Sequence, residues 1–427
     1  MRPSARLLWI ALGAFALSAV LMAAGEGTRA VAPFVWLPVL MALAGDLAIS
    51  VARPVAVEIA APDEMFTGQT IALVVTPSRR PRGLTAQFDW PEGLDGPESA
   101  PLDGAAATPV EITARRRGTW PVTRLWLSWP SALGLVELVP RLTLDLTITA
   151  VPDIRPVQSG VIDVKVRSTL FGVKENFARG EGSEFHQLRD FVQGMDTRAI
   201  DWKRSARHQG LVAKEMRAER NHHVIVALDN GYLMRSEAGG LPKIDHAVNA
   251  ALVTAWAAGV GGDMVGLFAY DARPRLFVPP EPGRRAFARL RSRTAELAYE
   301  SVETNHTLGM ASLIARTPRR SLIIVFSDFV DVTGAELMVE NMAALARRHV
   351  VVFVAIRDPA VEAIAATAPG DVDGISNAVA AGGLISERRL VMERLGRLGV
   401  LVIDAAPGQV SARVVSTYLD LKAREAA

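Results

Sequence analysis

Two apolar runs in the second half of the chain end in carboxylates: Asp229 closes HVIVALD and Asp328 closes IIVFSD. Between them Glu303 and Thr304 open the stretch SVETNHT. Converging carboxylates can move protons or hold a hard cation, so a metal-dependent hydrolase using Asp229, Asp328 and Glu303 is one reading. A second concentration of chemistry lies between Gly182 and Arg207. Arg189, Arg198, Arg204 and Arg207 can fork onto carboxylates, with Glu184, Asp190, Asp196 and Asp201 close in sequence and Trp202 beside Lys203. This segment is either an internal ion-pair lattice that docks it on a neighbouring domain or a patch that faces a partner. Both readings stand at this point.

Other chemistries are excluded more firmly. The 427 residues contain no cysteine, which removes disulfides, thiolate nucleophiles, zinc–thiolate sites and iron–sulfur clusters. The 7 histidines show no H-E-x-x-H spacing. No P-loop and no G-x-S-x-G elbow occurs. The net charge is +2 and the pI about 9.0, too mild a balance to imply nucleic acid. Arg284, Arg285, Arg289, Arg291 and Arg293 follow a helical face opposite Phe287, Leu290 and Leu297, which reads as a solvated helix and not as a nucleic-acid site.

The elements that must position these residues are legible from periodicity. Residues 55–150 alternate or run apolar in short pieces punctuated by Pro and Gly, with Trp90, Trp120, Trp126 and Trp129 among them, and a small β-sandwich is expected. From 223 onward, continuous Val/Ile/Leu runs alternate with helical patterns near 243–259, 284–298, 334–348, 386–398 and 408–424. Such runs suit a parallel sheet covered on both faces, hence a doubly wound α/β domain with its ligands beyond the carboxyl ends of the strands. The expected division is 1–53, 54–151, 152–222 as a charged platform, and 223–427. The fold class is thus α+β multi-domain.

The N-terminal segments 7–24 and 30–50 are apolar, the second interrupted only by Asp46 near its far end. At about 1.5 Å per residue each is long enough for a thin bilayer core. A cleaved signal peptide is the rival reading of the first, since Ala23-Ala24-Gly25 could pass for a cleavage site. The second run, after only GEGTR, favours a transmembrane helical hairpin. Arg2, Arg6 and Arg53 flank it against Arg29 alone in the turn, so the soluble part is expected in the cytoplasm.

Two resemblances add to this reading. The paired strand-end carboxylates resemble the loops of a von Willebrand factor A domain, whose metal site takes oxygen ligands from three loops, the first being D-x-S-x-S. Here that loop reads Asp229-Asn230-Gly231-Tyr232-Leu233, without either hydroxyl. The resemblance therefore implies a degenerate metal site of Asp229, Thr304 and Asp328, with magnesium or manganese not expected to be held and no cofactor expected. The run GSEFHQLRDFVQGMDTRAIDWKRSAR resembles the signature of the domain-of-unknown-function 58 family in its E-F-x-x-L-R, G-x-D-x-R and I-D-W-K-x-x-A-R elements. Met195 stands where that family has aspartate, and Trp129-Pro130-Ser131 replaces its aspartate-containing version of the preceding segment.

That resemblance implies a bacterial inner-membrane protein that partners a MoxR-type AAA+ ATPase. The expectation is a membrane-anchored, non-enzymatic adaptor or assembly factor without nucleic-acid partners. Its partner-binding or signature residues are Glu184, Arg189, Asp196, Arg198, Asp201, Trp202, Lys203 and Arg207. The hydrolase named above and a structural envelope protein are the alternatives.

Overall fold

The computed structural model describes residues 1–52, 54–102, 107–160, 184–192, 197–208, 210–217, 222–368 and 370–426. Its contacts divide into two compact units, Met1–Val151 and Pro152–Ala427.

The first unit begins with two apolar helices, α1 (Ala5–Ala23) and α2 (Trp36–Val51). Ala5–Ala23 and Ala32–Val51 are each long and apolar enough to cross a membrane. Leu8, Trp9, Phe15, Leu37 and Met41 are exposed on them, as side chains that face lipid must be. Together the helices associate the chain with a membrane. The following β-unit pairs a sheet built around the long strand Gly118–Pro130 with a second sheet of Val57–Ala60, Thr70–Pro77, Thr108–Ala114 and Leu94–Asp95. Alternation turns Leu73, Val75, Val110 and Ile112 of one sheet and Leu125 and Leu127 of the other into a common core. Arg117 is buried, while Arg115 pairs with Asp95 and Arg116 with Glu92.

Asp46 also departs from expectation. Instead of reaching water at the membrane interface it is 0% exposed. Its carboxylate accepts the Ser131 hydroxyl and the amides of Leu133 (2.8 Å) and Leu135 (3.3 Å). Ser50 accepts the Ala132 amide at 3.0 Å, and from α1 the Ser4 hydroxyl donates to the Gly134 carbonyl at 2.7 Å. Arg2–Pro3 adds a short antiparallel strand to Val136–Leu138. One loop of the β-unit, residues 131–135, is therefore bound by the N-terminal end of α1 and the C-terminal end of α2. A buried carboxylate is tolerated only with such donors around it.

The second unit is built on a six-stranded sheet. Its strands are β1 (His223–Asp229), β2 (Met264–Tyr270), β3 (Pro274–Pro282), β4 (Leu322–Phe326), β5 (Val350–Ile356) and β6 (Leu401–Ala405). Their order is β3-β2-β1-β4-β5-β6, all parallel except β3, which closes a hairpin with β2. Burial on both faces explains why β1, β2, β4 and β5 read as unbroken apolar runs. The expected helices appear as α4 (Lys243–Val260), α5 (Gly283–Ala295), α7 (Glu336–Ala346), α9 (Val372–Arg397) and α10 (Val410–Ala426). Between 152 and 222, the described part of the platform is an antiparallel pair, Glu184–Asp190 with Val212–Arg217, carrying the short helix α3 (Trp202–His208).

Three helical stretches went unread in the sequence. The helix α6 (His306–Arg316) begins inside SVETNHT, where the Asn305 side chain caps it by accepting the Leu308 amide. The helix α8 (Pro359–Ala366) is capped by Asp358. The first half of α9 was missed because it carries Gly382-Gly383 and lacks an amphipathic period.

Candidate functional site

At the carboxyl ends of β1 and β4, Asp229 and Asp328 are both buried. Each is held by partners from this chain. One oxygen of Asp229 accepts the Gly231 amide (2.9 Å) and the Thr304 hydroxyl (2.6 Å), and the other accepts the Ser327 hydroxyl (2.6 Å). Burial pushes the Asp229 carboxyl above its ordinary range, against the pull of His306 and these three hydrogen bonds. Burial likewise raises the Tyr270 phenol, with Asp229 adding to the effect, and lowers the His306 imidazole, with Asp229 opposing. The phenol and the His306 ring lie 3.4 Å apart.

Asp328 has a different environment. Its Oδ2 accepts the Lys243 ammonium at 2.6 Å, and its Oδ1 accepts the Arg388 guanidinium at 2.7 Å and the Phe329 amide at 3.0 Å. Arg388, on α9, also reaches Asp404 in β6 (3.3 Å) and the Ile356 carbonyl at the end of β5 (3.2 Å). Its guanidinium carbon stands 5.5 Å from the Phe329 ring centroid. Lys243 is the first residue of α4. A cation at that end opposes the helix dipole, and its placement is offset by Asp328.

The residues present do not fit a divalent cation. An octahedral ion needs about six oxygens, yet Asp229 and Asp328 already spend their oxygens on protein donors. Two cationic side chains face Asp328 where further charge would be repelled. Gly231 offers no hydroxyl, and a Cβ there would lie 1.9 Å from the Thr304 Oγ1. Among the described residues no group of three or more His, Asp or Glu is arranged to hold a metal. Glu303, the third carboxylate named from the sequence, is exposed.

The sequence thus located Asp229, Thr304 and Asp328 together at one end of the sheet, but missed Lys243, Ser327, Arg388 and Asp404. Ser327 was visible in the run FSD. Lys243 and Arg388 had no local signal, because each belongs to a helix remote in sequence from the aspartate it serves.

The opposite end of the sheet holds another buried carboxylate, Asp263. It accepts Tyr418 (2.6 Å) and Lys422 (2.7 Å) from α10, and Lys422 also donates to the Gly261 carbonyl at 2.7 Å. Burial opposes its ionisation, but His222, Lys422 and Tyr418 outweigh that and hold the carboxyl below its ordinary value. These contacts tie α10 to the domain.

In the signature, Asp201 caps α3 by accepting the Arg204 amide at 3.1 Å, and Ser205 accepts the Val212 amide at 2.9 Å. Ile200, Val212 and Ala213 are buried beneath. Trp202 is 67% exposed, with Lys203, Arg204 and Arg207 exposed on the same helix. Asp196 lies outside the described residues, as do the side chains of Glu184, Arg189 and Arg198.

Comparison with known proteins follows this geometry. The strand order, with an antiparallel strand at one edge, is similar to that expected of a von Willebrand factor A-like domain. Uncharacterised proteins of Mycobacterium tuberculosis and Mycobacterium bovis are 25% identical over 197 residues, 46% of this chain. The match spans 61% of those relatives' own length. Among solved structures, BatB of Bacteroides thetaiotaomicron matches at 14% identity and a TM-score of 0.32, covering 47% of this chain and 100% of its own. An aerotolerance-related membrane protein of Bacteroides fragilis matches at 12% identity and 0.33, covering 48% and 100%. The von Willebrand factor domain of the pilus tip protein Mfa5 of Porphyromonas gingivalis matches at 11% and 0.27, covering 48% and 96%. The model of the family described as protein of unknown function DUF58 matches residues 187–379, from the signature hairpin into α9. Over that segment, the chain is similar to the DUF58 family.

Proposed function

We propose that this chain is a membrane-anchored, non-enzymatic adaptor that docks a MoxR-type AAA+ ATPase on the cytoplasmic side of a bacterial inner membrane. The observation that carries the reading is the surface of α3. A tryptophan 67% exposed, beside exposed Lys203, Arg204 and Arg207, is a costly thing to leave in water and a typical anchor at an interface. The carboxylates at the end of the sheet offer less to a substrate, since both are consumed by internal donors and Glu303 stands apart in solvent. Nothing in that arrangement favours the hydrolase reading.

Docking is tested by capture. Trp202→Ala and Arg207→Ala in the full chain are expected to leave the thermal midpoint nearly unchanged, because both side chains are exposed. Each is expected to weaken capture of a co-expressed MoxR-type ATPase at least about tenfold, the loss of a hot-spot side chain. Unchanged capture by both variants would remove α3 as the docking surface. A drop in melting on Arg207→Ala would return the signature to an internal lattice.

Orientation is a separate expectation. Arg2 and Arg6 at the N-terminal end of the first helix, and Arg53 after the second, outweigh Arg29 in the turn. The contacts of Ser4, Asp46 and Ser50 with one loop of the β-unit support a hairpin whose two outer ends lie on one side. A reporter fused after Ala427 is expected to read as cytoplasmic. A periplasmic signal would overturn the localisation.

A further inference from the structure

The helix α9 is apolar on two opposite faces. One face packs on the domain through Ala381, Val391 and Leu395, and Arg388 fixes it to Asp328. The other carries Val372, Ile375, Val379, Gly383, Ser386 and Leu390, at steps of three, four, four, three and four residues, which is the repeat of a single helical stripe. Val372 is 80% exposed, Val379 70% and Leu390 56%. Charge is divided along the same helix. Asp371 and Asp373 lie at its N-terminus, and Arg389, Arg394 and Arg397 lie in its C-terminal half, where Glu387 and Glu393 leave an excess of positive charge and Glu393 stands 3.8 Å from Arg397. Arg394 has one partner, Glu336 at 3.1 Å, in a solvent-exposed pair that a stronger contact could displace.

We propose that this stripe is an interface for a second copy of the same chain, with the two α9 helices packed antiparallel about the Gly382–Gly383 step. The pattern is self-complementary about that point. Ile375 falls opposite Leu390, Val379 opposite Ser386, and Asp371 opposite Arg394, each pair lying equally far from the step. A two-fold axis requires this property, in which residue i meets j and j meets i. The antiparallel arrangement also sets each acidic N-terminal turn beside the basic end of the partner and opposes the two helix dipoles. A parallel pair would place acid beside acid and base beside base. Two adjacent glycines are weak helix formers in the middle of a long helix. At the crossing point they have nothing within 4 Å, which leaves room for another backbone to approach closely. A contact of one helix per copy is small, so the association is expected to be weak in solution and strengthened by confinement to a membrane.

The absence of cysteine makes the test clean, since any introduced thiol is unique. In the full chain in membrane vesicles, Gly383→Cys is expected to form a disulfide-linked dimer at least about tenfold faster than Ala412→Cys, an exposed site on α10. Mixing Ile375→Cys with Leu390→Cys chains is expected to give the mixed dimer, with little of either self-linked dimer. Adding Val379→Asp to Gly383→Cys is expected to abolish the rate advantage without lowering the melt. Three results would overturn the proposal. One is that Gly383→Cys links no faster than Ala412→Cys, or links to another protein instead. Ile375→Cys could link to itself as fast as to Leu390→Cys, the outcome of parallel packing. A lowered melt for Val379→Asp would assign the stripe to the chain's own core.

Discussion

Asp328→Ala is expected to lower the thermal midpoint of the α/β unit by about 6–20 °C. The variant strips the shared acceptor from Lys243 and Arg388, which approach it at 2.6 and 2.7 Å. Leaving a buried charge without its counter-ion costs roughly 3–5 kcal/mol, and about 2–4 °C accompanies each kcal/mol in a domain of this size. Arg388 keeps Asp404, so the ammonium of Lys243 carries most of the penalty. Lys243→Met alone is expected to do less harm, because Asp328 retains Arg388. The pair Lys243→Met with Asp328→Leu is expected to recover much of the lost stability, as apolar replacement of a buried ion pair often does. A melt unchanged by Asp328→Ala would mean that water, and not this chain, solvates the two cations.

The second large effect concerns Gly231, where the D-x-S-x-S pattern has a hydroxyl. Gly231→Ser puts that hydroxyl back, yet it is expected to destabilise the domain by about 2.5–6 kcal/mol. The new Cβ would meet the Thr304 Oγ1 at 1.9 Å, so Thr304 must move and its 2.6 Å bond to Asp229 is lost. Overpacking typically costs about 1–3 kcal/mol, and a hydrogen bond to a charged group is worth about 1.5–3 kcal/mol. Millimolar magnesium or manganese is expected to leave the melting of both the parent chain and this variant unchanged. Binding at 100 times the dissociation constant would add about 2.7 kcal/mol, which a melt reads easily. A magnesium-dependent rise in either protein would restore the metal-dependent reading.

These two sites mark where reading the sequence succeeds and where it stops. Asp229 and Asp328 were identifiable because each ends an unbroken apolar run, and a strand buried on both faces can place a polar group only where it leaves the sheet. The absence of hydroxyls at Gly231 and Leu233 was equally visible. What holds Asp328 was not. Lys243 and Arg388 belong to α4 and α9, and Asp404 to β6, and nothing local in those elements refers to the aspartate. The exposure of Trp202 was also hidden, since a tryptophan among regularly spaced apolar residues reads equally well as core.

By itself the sequence determined the two apolar N-terminal helices, the alternating strands of the β-unit and the strand–helix alternation of the second unit. Those features follow from local hydrophobic periodicity, which is written residue by residue along each element. Only the tertiary structure decided that Asp46 turns to the amides of Leu133 and Leu135, and that Asp328 is neutralised by Lys243 and Arg388. It also decided that α9 leaves Val372, Ile375, Val379 and Leu390 largely exposed. The reason is common to all three. Which charges meet, and which faces stay open, depends on how crossovers bring distant elements together, and a local pattern carries no record of that distance.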